Sequence, residues 1–228
     1  MDIDAILSDT SRTRDERKMD VIRRARDTVV AANLKPHHHV LELEPGKGWF
    51  TEILQRLIGP RGHLTVQQPV MLDAFFGKDV RRRLRSASYS NVTYSDAPFT
   101  DLETSDASID RVFWLQGPHE LWFEPQPGVS FGEPGAVFSE VRRTLKPDGR
   151  LVVIDNLAAR GTAQSAAGNL HRSEPDALRA VIEDAGLELI HSDRSWIASD
   201  FDPLTQPTFT PSIHLRTSQF LQIYALAP

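Results

Sequence analysis

The sequence predicts an α/β fold in which a mostly parallel sheet is covered by helices on both faces. Two observations support this class. Short apolar runs of strand length alternate with longer segments whose apolar residues recur at helical spacing. The first strand, helix and strand also follow one another within about thirty residues, which is the spacing of a right-handed βαβ unit.

The N-terminal half of this pattern begins with one amphipathic helix, predicted over residues 14–34 and ended by Pro36. The run "HVLEL" (39–43) is predicted as a buried strand, "WFTEILQRLI" (49–58) as a helix, and "HLTVQQ" (63–68) as a second strand. Together they form the first βαβ unit.

The same alternation continues along the chain. The further predicted elements are a helix at 71–86, strands at 91–95 and 110–116, a helix at 134–145, a strand at 149–155, a helix at 174–185, and strands at 187–193 and 217–226. Ser173 is predicted as the N-cap of the helix at 174–185, which has Pro175 in its first turn and ends at Gly186.

Two irregular segments, 117–135 and 198–216, lie between these elements. They are rich in proline and polar residues, and such composition fits loops that shape a pocket as well as exposed linkers. We divide the chain into an N-terminal helical extension at residues 1–35 and one α/β domain at residues 36–228.

Composition bounds the class of protein. A chain of 228 residues with 40% hydrophobic residues is long enough to bury a substantial core. The net charge of -5 argues against a nucleic acid as obligate partner, because such binding needs basic side chains. The lack of cysteine excludes disulfides and thiolate chemistry. The N-terminus is charged and no apolar run reaches about 18 residues, so we expect a cytoplasmic protein without membrane contact.

A glycine-rich turn, "EPGKG", joins the first predicted strand to its helix. Gly46 and Gly48 allow backbone amides to approach a ligand at the carboxyl edge of the sheet. The dinucleotide fingerprint needs a third glycine, but Glu44 stands at its first glycine position. A pyrophosphate is therefore disfavoured, whereas Glu42 and Glu44 would attract a ligand with an ammonium group. A turn that only packs the helix on its strand is the alternative.

Acidic residues and a second turn follow the later strands. Asp96 comes after "NVTYS", and "LKPDGRLVVID" joins a helix to the fifth predicted strand. With "VLELEPGKG", these motifs resemble those of class I S-adenosylmethionine-dependent methyltransferases over roughly residues 38–193. The resemblance implies a Rossmann-like, seven-stranded, mostly parallel sheet, the class I methyltransferase fold. A narrower resemblance, to a poorly characterised bacterial group of predicted methyltransferases, is carried by "LEPGKGWFTEIL", "NLHRSEP" and "TSQFLQIYALAP".

The resemblance implies S-adenosyl-L-methionine as cofactor and places its parts on this sequence. The implied contacts are Glu42, Glu44, Gly46 and Gly48 for the methionine end, Asp96 and Ala97 for adenine, and Leu115 and Gln116 for the methyl group. Family members usually carry an acidic residue after the second strand to accept the ribose hydroxyls, where this chain has Gln68. An amide lacks the charge-assisted strength of a carboxylate there.

Residues for methyl transfer are expected after the fourth and fifth strands. Transfer from a sulfonium needs alignment of the acceptor and, for an oxygen or nitrogen acceptor, removal of a proton. His119 is predicted as the base near neutral pH, with His171 as a second catalytic residue. Arg172 is predicted to clamp an acceptor carboxylate, and Trp122 to line an apolar acceptor pocket. Bonding to backbone is the alternative for His119, and capping or ion pairing within the fold is the alternative for Arg172.

No metal site is predicted. The three histidines at 37–39 alternate between the faces of a strand and cannot converge on one ion. Asp155 and His171 would meet at the end of the fifth strand, but the further carboxylates of a catechol-type metal site are not evident. The expected partner is a small-molecule acceptor of unknown identity.

Two other functions are weighed against a methyltransferase. A relative that binds an adenosyl ligand or another metabolite without turning it over is the second hypothesis, because Glu44 and Gln68 depart from the family pattern. A dehydrogenase is the weakest, since the glycine spacing does not suit a nicotinamide cofactor.

Overall fold

A computed structural model describes residues 2–85, 90–198 and 201–228. Seven strands form one sheet: β1 His39–Leu43, β2 His63–Gln67, β3 Val92–Ser95, β4 Ile109–Leu115, β5 Leu145–Asn156, β6 Leu187–Asp193 and β7 Gln219–Leu226. Their order across the sheet is β3-β2-β1-β4-β5-β7-β6. Strands β1 to β5 pair in parallel, whereas β7 is antiparallel to both β5 and β6. The predicted Rossmann-like, mostly parallel sheet is confirmed.

Helices cover both faces of this sheet. In the described chain they are α1 Ile3–Leu7, α2 Arg14–Ile22, α3 Ala25–Ala31, α4 Trp49–Ile58, α5 Val70–Leu84, α6 Pro134–Thr144, α7 Ala167–Leu170 and α8 Pro175–Asp184. Successive residues of a strand point to opposite faces, so Phe113 and Trp114 of β4 belong to two separate apolar clusters. The predicted end of the α5 helix, residue 86, lies outside the described residues. None of the described helices combines the length and the apolarity needed to cross a bilayer.

The N-terminal segment differs from the single helix predicted over 14–34. It breaks between α2 and α3 at Arg24, which adopts a left-handed backbone with φ 46. The break brings α2 across the start of α4, where the indole Nε1 of Trp49 donates to Asp20 at 2.9 Å. The segment is thereby fastened to the sheet domain. The division of the chain at residue 35 stays a prediction.

The start of α8 also differs from its prediction. Ser173 is not the N-cap; the side chain of Glu174 fills that position and accepts a hydrogen bond from Ala177 N at 2.8 Å. Pro175 in the first turn and Gly186 after the end, with φ 85, are as predicted. Ser173 instead donates to Asp155 at 2.7 Å, at the end of β5. A residue predicted to cap a helix therefore contributes to the site.

Candidate active site

The glycine-rich turn lies at the carboxyl end of β1, beside the end of β4. Gly46 and Gly48 have φ of 57 and 78, in the left-handed region that favours glycine. Gly46 N donates to Gln68 Oε1 at 3.1 Å, which ties the turn to the end of β2. Glu44 has φ 55, so it stands at the first glycine position with the backbone that a glycine would adopt. Side chains rarely hold this conformation unless their surroundings impose it.

Two carboxyl groups lie next to the turn: Glu42 is buried and Glu44 is half-buried. Glu42 accepts from Thr51 Oγ1 at 2.6 Å, and burial raises the pKa of Glu42 to about 7. Glu44 accepts from Trp114 Nε1 at 3.1 Å; burial, and then the negative charge of Glu120, raise the pKa of Glu44 to about 8. A nearby ammonium group would favour the ionised form of both carboxyls.

Replacing Glu42 with glutamine is expected to change how stability depends on pH. The folded-state pKa of Glu42 is raised from 4.5 to about 7, so this group stabilises the fold at low pH and that contribution is lost as the pH rises through this window. Glutamine keeps an acceptor for Thr51 but cannot ionise. Urea unfolding should show that the stability of E42Q relative to the wild type is greater at about pH 8 than at about pH 5. A difference that is the same at both pH values would contradict the raised pKa.

The residues predicted for the ribose and adenine lie together at the ends of β2 and β3. Gln68 is fully buried, and its Nε2 has no hydrogen-bond partner among the described residues. Asp96 is exposed on a cavity of about 240 Å³ that Met71 and Phe131 also line. Ala97 O accepts from the Gln67 side chain. An unused buried donor, apolar walls and a carboxylate fit an adenosyl group.

His119 lies on a 3-10 helix, Pro118–Trp122, that follows β4. Its Nδ1 lies 2.7 Å from Asp155 Oδ1, and its backbone N donates to Asp155 Oδ2 at 3.1 Å. The fully buried Asp155 also accepts from Asn156 N at 2.8 Å and from Ser173. A carboxylate only accepts, so Nδ1 of His119 carries a proton and Nε2 points away from Asp155. Asp155 therefore fixes the orientation of the imidazole.

Three side-chain atoms then form what we call the His–Glu–His triangle: His119 Nε2, Glu120 Oε1 and His171 Nδ1. His171 Nδ1 lies 3.3 Å from His119 Nε2 and 3.2 Å from Glu120 Oε1. The third edge, between His119 Nε2 and Glu120 Oε1, is 3.4 Å. His171 follows α7 with a left-handed φ of 51, and Asn156 Nδ2 donates to its carbonyl at 3.0 Å. Glu120 was not predicted as a site residue.

The charges of this cluster oppose the effect of burial. Burial alone would lower the pKa of His119, but the charge of Asp155 and its hydrogen bond, with Glu120, raise that pKa well above its usual range. Burial would raise the pKa of Glu120, but hydrogen bonds from His119 and His171 lower it. Strongly shifted groups in a cleft are typical of functional sites.

A cavity of about 90 Å³ adjoins the triangle. Gln116, His119 and His171 line it together, so the structure brings these three predicted residues to one place. Gln116 Nε2 donates to Gln219 Oε1 at 3.1 Å. The rest of the lining comes from α2 and its C-terminal end, the ends of β5 and β7, and the second irregular segment: Ile22, Arg23, Asn156, Thr208, Phe209, His214, Leu215, Thr217 and Gln219.

Both irregular segments contribute to cavities. Phe131 of the first segment lines the cavity beside Asp96. Phe209 of the second segment places its ring 4.8 Å from the ring of His171. Residues 199 and 200 of the second segment lie outside the described residues. These contacts fit the first of the two alternatives for these segments, loops that shape a pocket, better than exposed linkers.

Trp122 and Arg172 are not among the lining residues of the cavity beside the triangle. Trp122 packs against the apolar cluster that contains Trp114. Arg172 is fully buried and forms an ion pair with Asp202, with Nη2 2.6 Å from Oδ1. Its Nε and Nη1 donate to the carbonyls of Gln206 and Leu157, both at 2.7 Å. Arg172 was predicted to clamp an acceptor carboxylate, with ion pairing within the fold as the alternative. Its contacts are those of the alternative.

Comparison with known proteins bears on this arrangement. Residues 41–153, which run from β1 into β5, match a family described as a methyltransferase domain. The protein carries a class I methyltransferase domain. S-adenosylmethionine is the cofactor of this family, and the predicted cofactor residues Glu42, Glu44, Gly46, Gly48, Gln68 and Asp96 lie within the matched segment. No curated protein matches the sequence.

Solved structures similar to this chain agree in fold. A S-adenosylmethionine-dependent methyltransferase from Aquifex aeolicus has 16% identity, full coverage of both chains and a TM-score of 0.66. A putative sarcosine dimethylglycine methyltransferase from Galdieria sulphuraria has 14% identity and a TM-score of 0.65, over 93% of this chain and 88% of that one. The cyclase SpnF has 15% identity and a TM-score of 0.63, over 92% and 82%. Identities this low show the fold alone.

Proposed function

We propose that the protein is a methyltransferase that transfers a methyl group from S-adenosylmethionine to a small-molecule acceptor. One observation carries this proposal. The ends of the neighbouring strands β1, β4 and β5 place the glycine-rich turn on one side and the His–Glu–His triangle on the other. A cofactor site and a site for an acceptor are thereby adjacent at the carboxyl edge of the sheet.

The cofactor side is formed by groups of three strands. S-adenosylmethionine supplies a methyl group that is activated on a positively charged sulfur. Gly46 and Gly48 let the backbone approach the methionine end, and the ionised carboxyls of Glu42 and Glu44 balance its ammonium group. The unused Nε2 of Gln68 donates to a ribose oxygen, and the cavity beside Asp96 holds the adenine.

The acceptor side is formed by the cavity of about 90 Å³ and the triangle beside it. A cavity of this size fits the reacting group of a small molecule. His119, held by Asp155, and His171 are the catalytic residues, because both face the position where the acceptor meets the methyl group. The proton that an oxygen or nitrogen acceptor loses passes into this cluster of imidazole and carboxylate groups.

Cofactor binding is the first test of this proposal. Calorimetry should show micromolar binding of S-adenosylmethionine and S-adenosylhomocysteine. Ligand at about a hundred times its dissociation constant should stabilise the protein by roughly 2.7 kcal/mol in thermal unfolding. Gln68→Leu should weaken binding by about tenfold to a hundredfold, because it removes the acceptor for Gly46 N and the donor for the ribose.

Gln126→Leu is the control for that substitution, since Gln126 is exposed in the first irregular segment. It should bind both ligands like the wild type. No binding at millimolar ligand, or equal weakening by both substitutions, would contradict the proposed cofactor site.

A second candidate function, binding without methyl transfer, is favoured by Glu44. A Cβ atom on Gly117 would lie only 2.1 Å from Glu44 Oε2, so the carboxyl fills the space between the ends of β1 and β4. This space is where the methionine end is proposed to lie. Micromolar binding of S-adenosylmethionine with no methyl consumption across a screen of hydroxyl, amine and thiol acceptors would support this candidate, and turnover of any acceptor would exclude it.

A further inference from the structure

We propose that the His–Glu–His triangle is a binding site for a divalent transition-metal ion, with Zn²⁺ as the ion that fits best. The ligand atoms are His119 Nε2, Glu120 Oε1 and His171 Nδ1. From the sequence we predicted no metal site, because the histidines at 37–39 cannot converge on one ion and the carboxylates of a catechol-type site are not evident. The structure assembles a different set, with nitrogen and oxygen ligands of the kind that zinc and iron bind.

The spacing of the three atoms carries the proposal. Zinc binds histidine nitrogen and carboxylate oxygen at about 2.0–2.1 Å, so two ligands of a tetrahedral ion lie about 3.3–3.4 Å apart. The observed edges are 3.2, 3.3 and 3.4 Å. Hydrogen bonds of charged groups are usually shorter, about 2.7–2.9 Å. The bond between His119 and Asp155 is 2.7 Å and belongs to that class, whereas the edges of the triangle match the spacing of metal ligands.

The groups around the triangle hold the ligands in place. Asp155 accepts from Nδ1 of His119, which leaves Nε2 to the ion, and this pairing of carboxylate and histidine is common at zinc sites. Asp155 is itself fixed by Ser173 and by the backbone of Asn156. The Asn156 side chain holds the carbonyl of His171, whose left-handed backbone is uncommon outside glycine. Two ligands thus have supporting contacts of their own.

Three protein ligands leave one position of a tetrahedral ion open, as in catalytic zinc sites. His119 and His171 border the cavity of about 90 Å³, so this position is accessible to a small molecule. This step rests on the proposed function: the acceptor is then a hydroxyl or thiol compound that binds the ion. The positive ion lowers the pKa of the bound group, whose proton leaves to solvent in the cavity. Its oxygen or sulfur then forms a bond to the methyl carbon while the bond from that carbon to the sulfonium sulfur breaks, and S-adenosylhomocysteine leaves with the electron pair. His119 acts as a ligand of the ion in this step.

Metal binding can be measured without any cofactor. The full-length protein is first dialysed against a chelator and then titrated with Zn²⁺ by calorimetry. In parallel, Co²⁺ is added and the visible absorption of tetrahedral cobalt is recorded. The wild type should bind one equivalent of each ion. His171→Asn and Glu120→Gln should each weaken Zn²⁺ binding by more than about a hundredfold, beyond the effect of losing only a supporting contact.

Both substitutions are chosen to preserve the fold. Asparagine tolerates the left-handed backbone at position 171, and glutamine keeps the size of Glu120. His39→Asn is the control, because His39 is exposed and its ring lies 6.1 Å from that of His63, at the amino end of the strands. It should bind Zn²⁺ at the triangle like the wild type. The site is refuted if the wild type binds no metal, or if His171→Asn and His39→Asn bind Zn²⁺ equally well.

The results for metal and cofactor are independent of each other. Binding of Zn²⁺ at the triangle without binding of S-adenosylmethionine would support the metal site and contradict the proposed function. Binding of S-adenosylmethionine by a protein that takes up no metal would contradict only the metal site.

Discussion

Arg172→Met is expected to destabilise the protein by about 3–5 kcal/mol, because it leaves the carboxylate of Asp202 buried without its partner. Both side chains of this ion pair are 0% exposed. Arg172 also donates to the carbonyls of Gln206 and Leu157, which lose their donors. Urea unfolding of the variant and the wild type measures the difference. The substitution also tests whether Arg172 clamps an acceptor, since a clamp would change KM and leave stability nearly unchanged.

Arg194→Met is the control for this prediction. Arg194 forms an ion pair with Asp176, but their side chains are 43% and 58% exposed. Solvent-exposed pairs contribute little, so this variant should lose less than about 1 kcal/mol. If the two variants unfold at the same urea concentration, the ion pair of Arg172 is not the stabilising contact that its burial indicates.

Asp155→Asn is expected to lower kcat for methyl transfer by about a hundredfold or more, while cofactor affinity stays within about threefold. Asp155 accepts four hydrogen bonds, and two of them come from the ring and the backbone of His119. An asparagine amide has one acceptor oxygen and would turn an N–H group towards one of these donors. His119 would then lose its fixed orientation. In the proposed reaction, Asp155 is thus a positioning residue, which acts through His119.

The measurement separates this role from a general loss of structure. Steady-state kinetics gives kcat and KM, and calorimetry gives the affinity for S-adenosylhomocysteine. Ser173→Ala is the control, because it removes one of the four bonds and leaves both contacts with His119. It should lower kcat by less than about tenfold. A variant Asp155→Asn with unchanged kcat would contradict the role of Asp155, and equal loss of cofactor binding would indicate misfolding.

Local sequence signals predicted much of the fold. The bounds of α4 agree to the residue, because Gly48 and Gly59 flank a strongly amphipathic run. The end of β5 was predicted to within one residue, but its start was not, since the segment from Leu145 to Gly149 reads as a turn and pairs with β4 only through Ile109. Strand pairing is a property of the neighbouring strand, which the local sequence does not show.

Where the predictions were wrong, tertiary contacts had overridden the local preference of the sequence. Nothing in "VIRRARD" breaks a helix, yet Arg24 is left-handed because α2 is drawn onto Trp49 of α4. Ser173 is a better N-cap than Glu174 by intrinsic preference, but Asp155 binds its hydroxyl. Both outcomes depend on contacts between residues far apart in the chain.

The candidate site was predicted only in part, because some of its contacts also join residues that are far apart in the chain. The turn residues follow β1 directly, so their place was given by local sequence. The contact between His119 and Asp155 joins residues 36 positions apart, and it forms because β4 and β5 are parallel neighbours. The triangle needs in addition the left-handed backbone of His171, which was not predicted from the sequence. No role was predicted for Glu120, because its contact with the ring of His171 joins residues that are far apart in the chain.

The position of β7 between β5 and β6 has a consequence for biosynthesis. Among the strands of the described residues, β6 pairs with β7 alone, and β7 follows β6 in the chain. Until β7 has emerged from the ribosome, β6 has no partner in the sheet, and β5 exposes the edge that β7 later covers. Long-range pairing of this kind is slow and leaves unpaired strand edges open to aggregation. The nascent protein therefore completes its sheet only after β7 has emerged, and Gln219 reaches Gln116 in that final step.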